Sequence, residues 1–98
     1  MSLAKKIAQY KKKFPTVKNL VITPSKRPEK RFKAEFDIGQ KHKTIHFGLK
    51  GAYTYFDGAP NKKRRLYQAR ASKITNKSGV YTYRKAGTAN SLAYWILW

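Results

Sequence analysis

The stretch Arg31-Phe32-Lys33-Ala34-Glu35-Phe36-Asp37-Ile38-Gly39-Gln40-Lys41-His42-Lys43-Thr44-Ile45-His46-Phe47 decides the fold. Phe32, Ala34, Phe36 and Ile38 alternate with Arg31, Lys33, Glu35 and Asp37, which is the period of a strand with one buried face. Gly39-Gln40 fits a two-residue Gly-X turn of the II′ type, in which the first position takes a positive φ. That turn sets the register: Phe32 opposite Phe47, Ala34 opposite Ile45, Phe36 opposite Lys43. One face is then apolar apart from Lys43, so turn chemistry and hydrophobic pattern specify the same hairpin. The other face pairs Asp37 with His42 and Lys33 with His46. An Asp–His pair with no Ser or Cys nucleophile in the hairpin lacks the third group of a catalytic set. Cross-strand polar pairs of this kind are ordinary on an outer face. The two histidines read as extra groups on a basic surface, charging as pH falls.

Outward from the hairpin, residues 17–23 form a β-branched run bounded by Pro15 and Pro24, a further strand. Residues 24–30 read as an exposed basic loop. Ahead of them, Leu3, Ile7, Tyr10 and Phe14 recur at helical spacing, with Ser2 as cap and Pro15 as terminator. Lys5, Lys6, Gln9, Lys12 and Lys13 are expected on the opposite, solvated side. After the hairpin, Gly48-Leu49-Lys50-Gly51 lacks the spacing of a phosphate-cradling P-loop and reads as a tight turn. Asp57-Gly58-Ala59-Pro60 prepares a second helix running to Ile74, with Leu66, Tyr67, Ala71 and Ile74 expected on its buried side. Residues 80–84 alternate well enough for one more strand. Thr88 is a candidate N-cap for a last helix ending in Tyr94-Trp95-Ile96-Leu97-Trp98, apolar or aromatic all round. The expected fold is α+β: a small antiparallel sheet of three or four strands, an N-terminal amphipathic helix, a basic helix and a short C-terminal helix, in a single domain over residues 1–98.

Charge carries the functional reading. The chain has 98 residues with 23 Lys and Arg against four Asp and Glu, a formal net charge of +19. The acids, Glu29, Glu35, Asp37 and Asp57, leave residues 1–28 and 58–98 with no carboxylate. Such an excess repels itself unless counterions or a polyanion neutralise it. Nucleic acid is the commonest polyanion, since each phosphate held by Lys or Arg releases condensed counterion. The aromatic content, 14 %, argues against a merely disordered basic tail. Two histidines and four acids leave little for a metal site or a general acid–base pair, so no catalytic residue, metal or cofactor is expected. Cysteine is absent, so no disulfide or thiolate site exists. Neither a membrane-length apolar run nor a signal peptide is visible, and an intracellular or virion location is expected rather than secretion.

The second half resembles a known group. Residues 44–55, Thr-Ile-His-Phe-Gly-Leu-Lys-Gly-Ala-Tyr-Thr-Tyr, are similar to the F-G-x-K-G-x-x-(T/D)-(Y/F) block of small basic proteins of large nucleocytoplasmic DNA viruses. Arg64-Arg65-Leu66-Tyr67-Gln68-Ala69-Arg70 resembles their basic K-x-x-Y-x-x-R segment. Residues 88–98 resemble their T-A…W-(L/I)-L-W ending. Where those proteins carry a His-Lys-Asp element before the basic helix, this chain reads Phe56-Asp57-Gly58-Ala59-Pro60. The resemblance implies a viral origin and a non-catalytic role in or around the virion, and it transfers no active-site residues.

The expected function is sequence-nonspecific binding of nucleic acid, foremost double-stranded DNA, through the phosphate backbone. Lys62, Lys63, Arg64, Arg65, Arg70 and Lys73 form the densest patch, extended by Lys11, Lys12, Lys13, Arg27 and Arg31. Cations at a helix start oppose the macrodipole, a cost that an anionic partner would offset. The alternative is a minor structural component docking on viral capsid proteins through Tyr94, Trp95 and Trp98. Set against that is burial of the same apolar ending in the protein's own core. A ribosomal protein shares the size and charge but not the three blocks.

Overall fold

A computed structural model describes residues 2–98. The order is α1 (Leu3–Lys13), β1 (Val17–Pro24), β2 (Lys30–Ile38), β3 (Lys41–Leu49), α2 (Asn61–Ala71) and α3 (Ala89–Leu92). Single 3₁₀ turns lie at Tyr55–Asp57 and Thr82–Arg84, and a π-helical turn over Ala93–Leu97 follows α3. The three strands form one antiparallel sheet in the order β1-β2-β3, so the fold is α+β as the sequence pattern indicates.

The hairpin has the register its turn dictates: Phe32 pairs with Phe47, Ala34 with Ile45, Phe36 with Lys43, Asp37 with His42 and Lys33 with His46. Gly39 has φ 60°, the value a II′ turn demands of its first residue. On the other side of β2, the register of β1 shifts between Lys18 and Val21. Asn19 sits there with φ 55°, and its side-chain amide donates to Asp37 Oδ2 at 2.9 Å. A short polar side chain makes this left-handed position tolerable and bends the edge strand.

One face of the sheet is buried and the other is wet. Val17, Leu20, Ile22, Ala34, Phe36 and Phe47 point into the core. They meet Tyr10 and Phe14 of α1 and Leu92, Ile96, Leu97 and Trp98 of the C-terminal segment. Gly87 lies directly over Phe36: a Cβ there would be 2.8 Å from the ring, so the backbone can approach only as glycine. Its amide donates to the Tyr10 hydroxyl at 3.0 Å. That hydroxyl lies 2.7 Å from Ser91 Oγ, and Ser91 donates in turn to the Thr88 carbonyl at 2.9 Å. The Tyr10 hydroxyl is therefore the donor to Ser91, and every polar group in this buried chain is paired. Thr88 caps α3 as its position suggests, accepting from the Ser91 amide at 3.1 Å.

Several expectations are corrected. Residues 80–84 do not form a strand: Thr75 and Tyr81 make an isolated bridge, and Thr82–Arg84 is a 3₁₀ turn. Val80 and Tyr81 are about half exposed, and side chains take up two carbonyls of this stretch. Thr88 Oγ1 donates to the Thr82 oxygen and Trp95 Nε1 to the Tyr83 oxygen. Helix α2 ends at Ala71, short of Ile74, and both Ile74 and Leu66 are exposed. Lys6, expected on the solvated side, is only 5 % exposed. It precedes Tyr10 by four residues and so shares the edge of the buried stripe. Burial, and secondarily the nearby charge of Arg64, hold the Lys6 ammonium below its usual pKa.

The buried hydroxyl of Tyr10 gives a direct test of this arrangement. Tyr10→Phe leaves the Gly87 amide and Ser91 without their partner. It should cost about 1–3 kcal/mol in urea unfolding. A loss below a few tenths would mean that the chain of hydrogen bonds does not hold α1 to α3.

Candidate functional site

Helix α2 is the basic element, and its docking is unusual because little of it is apolar. Only Ala71 is fully buried. Tyr67, four residues earlier on the same side, lies flat on Trp98, with centroids 4.4 Å apart and planes 12° from parallel. Arg64 Nε donates to the Trp98 main-chain oxygen at 2.9 Å, and the guanidinium lies 4.4 Å from the centre of the Tyr55 ring. At the far end, Asn90 Nδ2 donates to the Ala71 oxygen at 3.0 Å. One aromatic stack, one cation–π contact and two hydrogen bonds thus hold a helix that has no adequate hydrophobic stripe.

The outward positions of α2 and the turn after it carry Lys62, Lys63, Arg65, Arg70 and Lys73, all exposed. Neither they nor Arg64 forms an ion pair with an Asp or Glu side chain among the described residues. The helix start has no acid in its first turn, and Pro60 supplies no side-chain cap. Three of the four acids are occupied elsewhere, and Glu29 is exposed in the loop between β1 and β2. Glu35 and Asp37 lie on the outer sheet face with Lys33, Asn19 and His42. The Asp37 and Glu35 carboxylates hold the His42 imidazolium above the usual histidine pKa, Asp37 chiefly through its hydrogen bond. Asp57, the carboxylate nearest α2 in sequence, accepts from Arg31 and from the Thr54 amide and hydroxyl at 2.9 and 2.8 Å.

The remaining expected site residues fall into separate groups. Lys11, Lys12 and Lys13 occupy the last turn of α1, where cations suit the helix dipole. The Lys13 ammonium lies 4.2 Å from the centre of a Trp95 ring. Arg27 is exposed in the loop between β1 and β2. Arg31 differs from the others, since its fork is closed on Asp57 and its charge is neutralised within the fold. Of the apolar ending, Tyr94 and Trp95 are half-buried, and Trp98 is 7 % exposed. Trp98 belongs to the core and is not a free docking group.

A feature without sequence signal is a groove of about 550 Å³ beside α2. Its walls come from the end of β3, the linker after it, α2 and α3. Leu49, Tyr53 and Leu66 are exposed at 66, 51 and 65 % and all line it, while Lys63 and Arg70 line it from the helix. No Asp or Glu contributes. Three stretches distant in sequence, 48–54, 63–70 and 89–98, meet there, so no local spacing announces it.

The Arg31–Asp57 pair makes stability depend on acid pH. Hydrogen bonds from Arg31, and then from Thr54, hold the Asp57 carboxyl well below its ordinary range. A lowered folded-state pKa contributes stability that is complete above the unfolded value, about 4. That contribution is lost progressively as pH falls below it. Asp57→Asn should cost about 1–3 kcal/mol at pH 7 in urea unfolding. The gap between the two proteins should close toward pH 2. A gap that stays constant with pH would remove the carboxylate from this role.

Comparison with known proteins places the chain in context. It is 40 % identical over 97 residues to "Uncharacterized protein L851" of Acanthamoeba polyphaga mimivirus, covering 98 % of this chain and 96 % of that protein. No solved structure matches it. A family model described as "Family of unknown function (DUF5754)" matches residues 20–71. That span runs from β1 through α2 and includes Phe47-Gly48-Leu49-Lys50-Gly51 and the basic helix, while the ending at 88–98 lies beyond it. Holding sheet, linker and basic helix in one matched stretch, and with a viral relative along nearly its whole length, the chain belongs to this family.

Proposed function

We propose that this is a non-enzymatic, virion-associated protein that binds nucleic acid through the phosphate backbone without reading sequence. The observation that carries the reading is the set of α2 cations with no Asp or Glu partner. Three of the chain's four acids are engaged on the outer sheet face or with Arg31, and the fourth, Glu29, lies exposed between β1 and β2. An uncompensated surface of this density attracts a polyanion, and duplex DNA has one charge per about 1.7 Å of axis. Lys62, Lys63, Arg65, Arg70 and Lys73 contact phosphates, and Arg64 mainly fixes the helix through Trp98. The cations of α1 and Arg27 extend the footprint. Nothing in α2 resembles a helix presenting a coded set of side chains to base edges, so discrimination among duplex sequences is small. The viral relative supports the setting in a large DNA virus. A shell-docking role would have to use a surface other than Trp98, which lies in the core.

With about six phosphates engaged, log affinity for a duplex should fall against log salt with a slope near −5. Changing Lys62, Lys63 and Arg65 together to Gln removes three contacts. The slope should then become shallower by about 3 units, equally for all sequences. Arg64 stays in place so that α2 remains docked. A slope near zero in the unaltered protein, measured by fluorescence anisotropy, would sink the reading.

A further inference from the structure

The groove beside α2 has a chemistry that a duplex backbone does not use. Of the seven large hydrophobic side chains exposed on the described surface, Leu49, Tyr53 and Leu66 all line it. Lys63 and Arg70 stand at its helix side, the Lys63 ammonium 5.3 Å from the centre of the Tyr53 ring. Asn90 also lines it, with both donor interactions of its amide nitrogen directed to Ala71 and Thr82, which leaves its carbonyl oxygen to accept. An occupant must therefore have a flat or apolar body, an anionic periphery and a donor group.

We infer that this groove takes an unpaired base of a single-stranded nucleic acid, its ring against Tyr53 and Leu66 and its flanking phosphates on Lys63 and Arg70. This rests on the polyanion reading above and adds to it a preference for single strands. Charge complementarity selects the occupant: the lining has two cationic side chains and no Asp or Glu. Those cations also continue along α2 and beyond it into Lys62, Arg65 and Lys73, matching a backbone with repeated charges. At about 550 Å³ the groove is in the range of pockets that enclose a small organic body. Aromatic platforms flanked by cations are how sequence-tolerant single-strand binders hold bases. A duplex keeps its bases stacked inside and so gains only the phosphate contacts.

The test measures the full chain by fluorescence anisotropy against three probes of equal phosphate number at one salt concentration. They are a thymidine oligomer of about 16 nucleotides, its abasic counterpart and a duplex. The thymidine oligomer should bind about tenfold tighter than the abasic one, the difference expected from stacking one base. Tyr53→Ala or Leu66→Ala should narrow that ratio to under about threefold, and Tyr53→Phe, which retains the ring, should preserve it. Equal binding of the thymidine and abasic oligomers overturns the inference while leaving the phosphate reading intact. Thymidine binding without any abasic or duplex binding removes the phosphate reading and, with it, the flanking phosphates on Lys63 and Arg70, and so overturns the inference as well. An acidic polypeptide of matched charge that binds as tightly as the thymidine oligomer, and loses affinity with Tyr53→Ala, assigns the groove to a protein partner and overturns the inference.

Discussion

The contact between Trp98 and helix α2 is the constraint on which the functional surface depends. A helix with cations on nearly every side cannot dock by burying a broad apolar stripe, and α2 buries only Ala71 completely. Trp98 supplies what the helix lacks. Its ring stacks on Tyr67, and its main-chain oxygen accepts from Arg64, so one residue fixes both the face and the height of the helix. Stacking of this kind adds about 0.5–1.5 kcal/mol beyond the area it covers. The ring is in turn held by the core that closes the sheet, where Leu92, Ile96 and Leu97 pack with Tyr10, Phe36 and Phe47. Core and basic surface are therefore one structure, joined through the last residues of the chain.

With so few acids, the protein manages repulsion by other means. Aromatic faces take the place of carboxylates: Arg64 lies over Tyr55, Lys63 over Tyr53, Lys13 over Trp95 and Arg84 over Tyr83. Each such contact is worth about 0.5–1 kcal/mol at an exposed site, without cancelling the charge. A salt bridge would have neutralised the cation toward a partner, whereas a ring orients it and leaves its field intact. Arg31 shows the contrast. Closed on Asp57, it ties β2 to the turn before α2 and contributes structure rather than surface charge.

What was legible in the sequence divides along physical lines. The register of the hairpin was readable pair by pair, because a period of two and a Gly-X turn each fix it. Its far end was not: Lys30 pairs with Leu49, in stretches whose glycines and charges read as loop and turn. The capping of α1 by Ser2 and of α3 by Thr88 was readable because a cap is a local interaction. The errors lie where tertiary contacts outweigh local pattern. Residues 80–84 alternate, yet the Thr82 and Tyr83 carbonyls accept from Thr88 and Trp95, and pairing stops at the single bridge between Tyr81 and Thr75. Lys6 is drawn under cover because it borders Tyr10, and Leu66 is left outside because Tyr67 and Ala71 define the inward side of α2. The cationic residues of the candidate surface could be named from charge alone. Their division into phosphate-facing, structural and neutralised groups required knowing where Trp98, Tyr55 and Asp57 lie.

The groove follows from the same arrangement. Tyr67 turns one face to Trp98, and this holds Lys63, Leu66 and Arg70, its neighbours along the helix, in place opposite Leu49 and Tyr53 of the β3 end and linker. Gly48 permits the approach: it has φ 79°, and a Cβ there would come within 2.9 Å of Leu97. The end of β3 thus reaches the apolar C-terminal segment only because that position has no side chain. An exposed apolar lining beside a basic helix is costly in water, and an isolated leucine or tyrosine on a surface needs no explanation. Three together in one concavity, flanked by cations and free of acids, make a surface whose hydrophobic and electrostatic parts are satisfied by one occupant carrying both an apolar ring and a negative charge.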